Sequence, residues 1–374
     1  MSWDPAKNVF DSVTQLIGQT PLVRLNRALK EVPTGSWLRA KGFKAPNFSL
    51  QSTLYAKVEY LNPGGSVKDR IALTIIEGAE RAGLLKPGGT IVEATSGNTG
   101  AGLALVAATK GYKCVFVMPD KMSAEKVNAL KAYGARVVIS PMVEPDHEHY
   151  YCNVAKRIAS EIPGAFLANQ YFNPDNPRAH FETTGPEIWG QTQGKITHFF
   201  AGMGTGGTFS GTARFLKTKN SQITNVGIDP DGSIYYGMVT ENKPSPAGSY
   251  LTEGVGEDML PGTVDLSLAN DCIKVNDQEA FAATQMLARN EGLLVGGSCG
   301  MAYYGAVQSL AWHESQGGRP AHAVVILPDS GSRYLSKVFN DPWLEKQNIN
   351  PAWGAHRNTG CVEYLPNSRK IEGV

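Results

Sequence analysis

Asn62-Pro63-Gly64-Gly65-Ser66-Val67-Lys68-Asp69-Arg70 is the stretch on which the reading of the fold turns. Upstream, Leu54-Tyr55-Ala56-Lys57-Val58-Glu59 alternates in the manner of a strand. Downstream, Ile71, Ile75, Ala79 and Ala82 recur at helical spacing, and Gly83 stands where a helix commonly stops. The Pro-Gly-Gly turn joins the two, with Ser66 as the expected N-cap. Strand, glycine turn and helix form the unit of an α/β chain, and this unit carries an odd feature. Lys68 falls in the first helical turn, at the positive end of the helix dipole, where a cation is disfavoured by about 0.3–1 kcal/mol. The dipole and partial burial both lower an amine's pKa, which is how a lysine becomes a nucleophile or forms a Schiff base. For this stretch alone, a solvated lysine near a helix start is the simpler reading.

The same unit repeats outward. Thr90 to Ala94 reads as a strand, Asn98 to Thr109 as a helix and Lys113 to Val117 as a buried strand. A helix capped by Ser123 and stopped by Gly134 follows, then a strand from Arg136 to Ile139. A second set comprises strands at Thr197 to Phe200, Thr224 to Ile228, Cys272 to Val275 and Ala323 to Leu327. Helices are expected at Thr208 to Lys217, Gln278 to Arg289 and Ala302 to Trp312. Thr20 to Leu25 reads as a short strand, residues 31–53 as a polar loop, and the chain after Asp341 as a polar tail. Strands alternating with helices imply parallel sheets with covered faces, so the expected class is α/β with two sheets.

Composition narrows the function. The chain has 374 residues, 18% of them charged, with a formal net charge of +1 and no basic run, so no nucleic-acid or anionic-membrane partner is expected. No apolar stretch is long enough to span a bilayer, and Met1-Ser2-Trp3-Asp4-Pro5 lacks a signal-peptide pattern. The five cysteines lie far apart with no Cys-x-x-Cys pair, which argues against a disulfide framework and a zinc knuckle and fits a reducing cytoplasm. The 41 glycines cluster in short loops, the pattern of a bound phosphate or another ligand approaching the backbone closely.

Three glycine loops stand between strands and helices. Thr95-Ser96-Gly97-Asn98-Thr99-Gly100 offers N–H groups and hydroxyls to a carboxylate or a phosphate; a capped helix start is the alternative. Gly202-Met203-Gly204-Thr205-Gly206-Gly207-Thr208 wraps a phosphate equally well. Its Gly202, Gly204 and Gly207 also match the dinucleotide fingerprint, with Asp229 at the end of the next strand, so a nicotinamide-dependent oxidoreductase is a rival. Gly296-Gly297-Ser298-Cys299-Gly300 opens another helix, and Cys299 reads best as a small buried thiol. A lysine of lowered pKa, a phosphate cradle, a carboxylate loop and no metal are together what pyridoxal phosphate requires. The dinucleotide reading uses one of these features and the pyridoxal reading uses all of them.

In this order, Gly-Gly-Ser-Val-Lys-Asp-Arg around Lys68, Thr-Ser-Gly-Asn-Thr-Gly at 95–100 and Gly-Thr-Gly-Gly-Thr at 204–208 resemble the cysteine synthase/cystathionine β-synthase family of fold-type II pyridoxal-phosphate enzymes. The likeness runs from Gln15 to Leu344. It implies a two-lobed fold like that of the tryptophan synthase β chain, each lobe a parallel-rich sheet flanked by helices. Residues 1–60 and 171–345 would form the large cofactor-binding lobe, 61–170 the small substrate-loop lobe and 346–374 a tail. By the same resemblance Lys68 is the Schiff-base lysine and the base that removes the substrate α-proton. Asn98 would bind the cofactor's 3′-oxygen, and Gly204, Thr205, Gly206, Gly207 and Thr208 its phosphate. Ser298 would face the pyridine nitrogen, and Thr95, Ser96, Thr99 and Gln170 would take the substrate carboxylate. A neutral hydroxyl at Ser298 does not stabilise a protonated ring, which favours loss of the β-substituent to an aminoacrylate that a thiol attacks.

Asn173 to Glu187 looks more like the cysteine synthases. Gly64-Gly65, Gln170-Tyr171, Asp229 to Ser233, Glu253 to Gly256, Leu327 to Ser330 and Tyr334-Leu335 look more like the cystathionine β-synthases. The balance implies condensation of L-serine with L-homocysteine to cystathionine and water, with O-acetylserine plus sulfide as the alternative. Hydroxide leaves poorly, and Tyr171 is the expected hydrogen-bond donor to the β-oxygen; a packed aromatic at a strand end is its other reading. Haem is not expected, since no Cys precedes Cys114 and no His precedes His147. The segment after Asp341 is too short for the paired regulatory domains of some relatives, and the family implies a homodimer.

Overall fold

The computed structural model describes residues 9–120, 122, 124–144 and 146–350, and the backbone of 363–364 and 371–372. The expected cap Ser123 and nearly all of the segment after Asn350 lie outside the described residues. Ten strands form the two main sheets: β1 Leu22–Arg24, β2 Thr53–Val58, β3 Thr90–Ala94, β4 Lys113–Pro119, β5 Arg136–Ser140, β6 Phe166–Leu167, β7 His198–Gly202, β8 Thr224–Pro230, β9 Asp271–Val275 and β10 His322–Leu327. The larger sheet has six strands in the order β1-β2-β10-β7-β8-β9, and the smaller has four in the order β5-β4-β3-β6. All pairings are parallel except β1 with β2. The last strand in sequence, β10, lies between β2 and β7, with Leu327 opposite Val58 and Val325 opposite Phe200. Its Ala-Val-Val-Ile-Leu run is buried throughout, as a central parallel strand covered on both faces requires.

Each sheet is sandwiched. On one face of the larger sheet, the Gly297–Ser315 helix packs Met301, Ala302, Ala306 and Leu310 against Leu54, Val226 and Val325. On the other, Phe209, Ala213 and Leu216 of the Gly207–Lys219 helix meet Phe199 and Val324. In the smaller sheet Ile91 and Phe116 pack with the Lys68–Arg81 and Asn98–Lys110 helices, while Val92, Val115 and Val117 face the Tyr151–Glu161 helix. No helix among the described residues is long and apolar enough to cross a membrane.

Several local expectations are corrected. The N-cap of the Lys68–Arg81 helix is Val67, in helical conformation, and Ser66 instead lies a residue earlier and accepts the Lys68 N–H at 3.3 Å. Ala82 is the exposed C-cap rather than part of the buried face; Gly83, at φ +70°, follows it as the expected left-handed stop. Residues 31–53 are not a plain loop: Val32–Pro33 pairs with Asn47–Phe48 around a short Ser36–Ala40 helix. That helix is held from afar, its Ser36 N–H and Oγ donating to Glu279 at 2.6 and 3.0 Å. The helix expected from Ala302 begins at Gly297, because its small residues are what a helix buried all round can pack. Helices at Tyr151–Glu161, Asp175–Ala179, Gly185–Gln191 and Asp341–Lys346 were not apparent in the pattern.

Candidate active site

The Lys68 turn hangs from the C-terminal end of β2. Gly65 (φ +78°) closes it, and the Val67 N–H donates to Pro328 O at 2.8 Å, tying it to the end of β10. Two residues on, in the same first turn, Arg70 is buried between two carboxylates. It donates to both Glu59 oxygens at 2.7 and 2.9 Å and to both Glu187 oxygens at 2.7 Å. Lys57 adds a 2.6 Å bond to Glu187. These charges fix the orientation of the helix that carries Lys68. The Lys68 side chain is half-buried at the first helical position, and burial pushes its amine below the ordinary value, opposed by the charges of Asp329 and Glu257.

The 95–100 loop follows β3. Thr95 Oγ1 accepts the N–H groups of Gly97 and Gly100 at 3.0 and 3.1 Å, folding the loop back on itself around Gly97 at φ +140°. Thr99 donates to Gln170 Oε1 at 2.6 Å, whereas Ser96 is exposed. Gln170 is positioned from below by Glu93 on β3, which accepts the Asn169 and Gln170 N–H groups at 2.6 and 3.3 Å. Burial raises the Glu93 pKa to about 8. Asn98 is gripped on both sides. Arg333 donates to its Oδ1 and also to Gly64 O, while Asn98 Nδ2 donates to Asp329 Oδ2 at 2.8 Å. Arg333 and Asp329 thereby join the Lys68 turn, the Asn98 loop and the end of β10.

The 204–208 loop leads from β7 into a helix whose N-cap, Gly206 (φ +81°), supplies no side-chain cap. A Cβ at Gly206 would strike Val264 and one at Gly207 would strike Asn176. Behind the loop Asn176 bridges Thr205 Oγ1 (3.0 Å) and Gln170 O (2.8 Å), and Tyr235 donates to Gly204 O at 2.6 Å. The loop is thus packed tightly behind, with the uncapped N–H groups of the helix start in front, the form of an anion cradle. Thr208 Oγ1 lies 3.1 Å from Nε2 of His180, which burial holds neutral with a pKa of about 3. These residues fit a phosphate monoester. The dinucleotide role expected of Asp229 does not fit, because that carboxyl is fully buried and accepts the Tyr236 N–H at 2.8 Å instead of facing the cradle.

Ser298 is buried near the start of its helix, where the Gly296 N–H donates to Asp329 O at 3.2 Å. The Cys299 thiol is buried, donates to Asp329 O at 3.4 Å and has its pKa pushed well above the usual range, so it is a packed group rather than a nucleophile. Tyr171 is half-buried, with its hydroxyl 3.3 Å from that of Tyr151. No group of three or more potential metal ligands occurs among the described residues. Sequence reasoning did not assign Asp329, Arg333, Glu93, Tyr151 or Glu257. The first two lie in or beside the Leu327–Ser330 and Tyr334-Leu335 segments already singled out for their likeness, which was the available signal.

Comparison with known proteins agrees with this geometry. The model of the pyridoxal-phosphate dependent enzyme family matches residues 13–329. Cystathionine beta-synthase of Oryctolagus cuniculus is 45% identical over 337 residues, covering 90% of this chain and 57% of that protein. The chain therefore spans less than two thirds of that relative's length. Cysteine synthase of Staphylococcus aureus is 42% identical over 332 residues, 88% of this chain and 97% of that protein. The crystal structure of O-acetylserine dependent cystathionine beta-synthase from Helicobacter pylori superposes with a TM-score of 0.75 at 35% identity, covering 88% of this chain and 98% of that one. A lysine at a helix start, an amide held beside it and an uncapped glycine cradle thus accompany a family match over most of the chain: the protein belongs to the pyridoxal-phosphate dependent enzymes.

Proposed function

We propose that the protein catalyses β-replacement, condensing L-serine with L-homocysteine to L-cystathionine and water. When bound, pyridoxal phosphate supplies an electron sink for charge that develops at the substrate α-carbon. Lys68 holds the cofactor and moves the α-proton at its Nζ. Asn98 donates to the 3′-oxygen, with its free Nδ2 hydrogen selected because Arg333 occupies Oδ1. Gly204, Thr205, Gly206, Gly207 and Thr208 hold the phosphate, and Ser298 faces the ring nitrogen. Thr95, Ser96, Thr99 and Gln170 take the substrate carboxylate, and Tyr171 donates to the departing β-oxygen. The observation that carries this reading is the Asp329–Asn98–Arg333–Gly64 chain of hydrogen bonds, which supports a lysine and an amide as parts of one site.

The second reading is a cysteine synthase using O-acetylserine and sulfide, favoured by the similarity to the S. aureus protein over nearly its whole length. Assay of both substrate pairs separates the two. Borohydride treatment followed by peptide mapping should place the cofactor on Lys68, and a Lys68→Ala variant that stays yellow and turns over either pair would sink the assignment. We further infer a homodimer in the cytoplasm, with lobes at 1–60 plus 171–345 and at 61–170. Light scattering and limited proteolysis test the assembly and the boundaries.

A further inference from the structure

His180 is fully buried beside the 204–208 cradle and is engaged at both ring nitrogens. Its Nδ1 lies 2.9 Å from Thr184 Oγ1 and its Nε2 lies 3.1 Å from Thr208 Oγ1. Residues His180–Thr184 form a π-helical turn, closed by the Gly185 N–H donating back to His180 O. Such turns are rare and gather at functional sites. The turn sits close against the Gly207–Lys219 helix because Gly211 has no side chain: a Cβ there would strike Pro177 O and the His180 Cβ. That close approach lets the ring reach Thr208, one turn nearer the helix start.

The two bonds can run in either of two directions. A neutral imidazole carries one N–H, so one nitrogen donates and the other accepts. Burial foremost, and then the charge of Arg70, keep this ring neutral, with a pKa of about 3. With the proton on Nδ1, the ring donates to Thr184, and the Thr208 hydroxyl gives its proton to Nε2 and turns only lone pairs to the cradle. With the proton on Nε2, Thr184 donates to Nδ1, the ring donates to Thr208 Oγ1, and the Thr208 proton is left to point into the cradle. No other hydrogen bond among the described residues engages the hydroxyls of Thr184 or Thr208. An anion at the start of the Gly207–Lys219 helix selects the second direction, because lone pairs repel it and an O–H attracts it.

We propose, resting on the assignment of residues 204–208 to the cofactor phosphate, that His180 is a positioning residue that directs the Thr208 hydroxyl towards that phosphate. The relay runs from the Thr184 O–H to His180 Nδ1, from the His180 Nε2–H to Thr208 Oγ1, and from the Thr208 O–H to a phosphate oxygen. Each link strengthens the next, since hydrogen bonds in a chain polarise one another. The imidazole acts through Thr208 rather than on the anion itself. The relay serves the phosphate and not the pyridine ring, so its loss falls on the affinity that the phosphate supplies. A side chain with an N–H near the place of Nε2 replaces the imidazole; glutamine has one, and leucine fills similar space without one.

Two measurements test the relay. Nuclear magnetic resonance of the holoenzyme carrying isotope-labelled histidine should find the His180 proton on Nε2, identified as the signal missing from His180→Gln. A proton on Nδ1 overturns the relay. Enzyme resolved with hydroxylamine is then titrated, by fluorescence, with pyridoxal phosphate and with pyridoxal, which lacks the phosphate. His180→Leu should weaken pyridoxal phosphate binding by about 10–100-fold, the scale of one hydrogen bond to a charged group, and leave pyridoxal binding unchanged. His180→Gln should recover most of that loss. Thr208→Val should lose as much as His180→Leu, and the two together no more than either alone, since they break one chain. If His180→Leu weakens both ligands alike, or the two losses add, the ring is packing and the relay is overturned while the cradle assignment stands. If neither Thr208→Val nor Gly207→Ala alters pyridoxal phosphate binding, the phosphate lies elsewhere and both fail. Should His180→Leu not fold, His180→Gln decides: binding as weak as that of Thr208→Val overturns the relay, and binding close to wild type, with the proton on Nε2, upholds it.

Discussion

Neutralising Glu59 should cost the fold several kilocalories per mole. The carboxylate is fully buried and accepts from Arg70 Nε, Arg70 Nη2, Thr20 Oγ1 and Asn62 Nδ2 at 2.7, 2.9, 2.6 and 2.9 Å. The Arg70 guanidinium leads the forces that overcome desolvation and bring its pKa from 4.5 to about 2. A drop of that size at ~1.36 kcal/mol per unit amounts to about 3 kcal/mol, within the roughly 3–5 kcal/mol expected when one partner of a buried pair is removed. The group is depressed in the folded state, so this contribution is present above pH 4.5 and is lost as pH falls towards 2. Glu59→Gln, unfolded in urea at pH 7, should therefore lose about 3 kcal/mol, and the gap from wild type should narrow only below pH 4.5. Glu77→Gln is the control, because Glu77 meets Arg81 at 4.0 Å and Lys110 at 3.6 Å at the surface, and such pairs are worth about 0–1 kcal/mol each. If the two variants lose equal stability, or the Glu59 gap persists unchanged to pH 3, the account of the Arg70 network is wrong.

Gly207→Ala should drive its new methyl into the Asn176 amide and spread the cradle, at about 1–3 kcal/mol of overpacking; absorbance after gel filtration should show the cofactor lost while far-ultraviolet dichroism is retained. Arg333→Ala should weaken cofactor binding by roughly 10–100-fold, the equivalent of about 1.5–3 kcal/mol for a charge-assisted hydrogen bond, in a fluorescence titration. Arg333→Lys should recover little, because a point charge does not fork between Asn98 Oδ1 and Gly64 O.

The parts of the site that were legible are those written in local chemistry. A Pro-Gly-Gly turn before Lys68 and glycines between strand and helix declare themselves, because the backbone there has few alternatives. The groups that hold those parts in place were not legible, since nothing local marks them. Arg333 meets Asn98 across 235 residues of chain, and Asp329 meets it across 231. The Ser36–Ala40 helix likewise depends on Glu279, 243 residues away. The Gly297–Ser315 helix was read short because its opening Gly-Ser-Cys-Gly has low helix propensity, which close packing overrode.

The placement of β10 has a consequence for biosynthesis. A nascent chain emerges from its N-terminus, yet the slot between β2 and β7 is filled only when residues 322–327 appear. Until then two apolar strands present unpaired edges, and Asp329 and Arg333, which hold Asn98, are still inside the ribosome. The smaller sheet, whose strands run from residue 90 to 167, can close during translation. Cofactor capture by a fully assembled site is therefore a late event, and the half-made larger sheet is the species most in need of a chaperone.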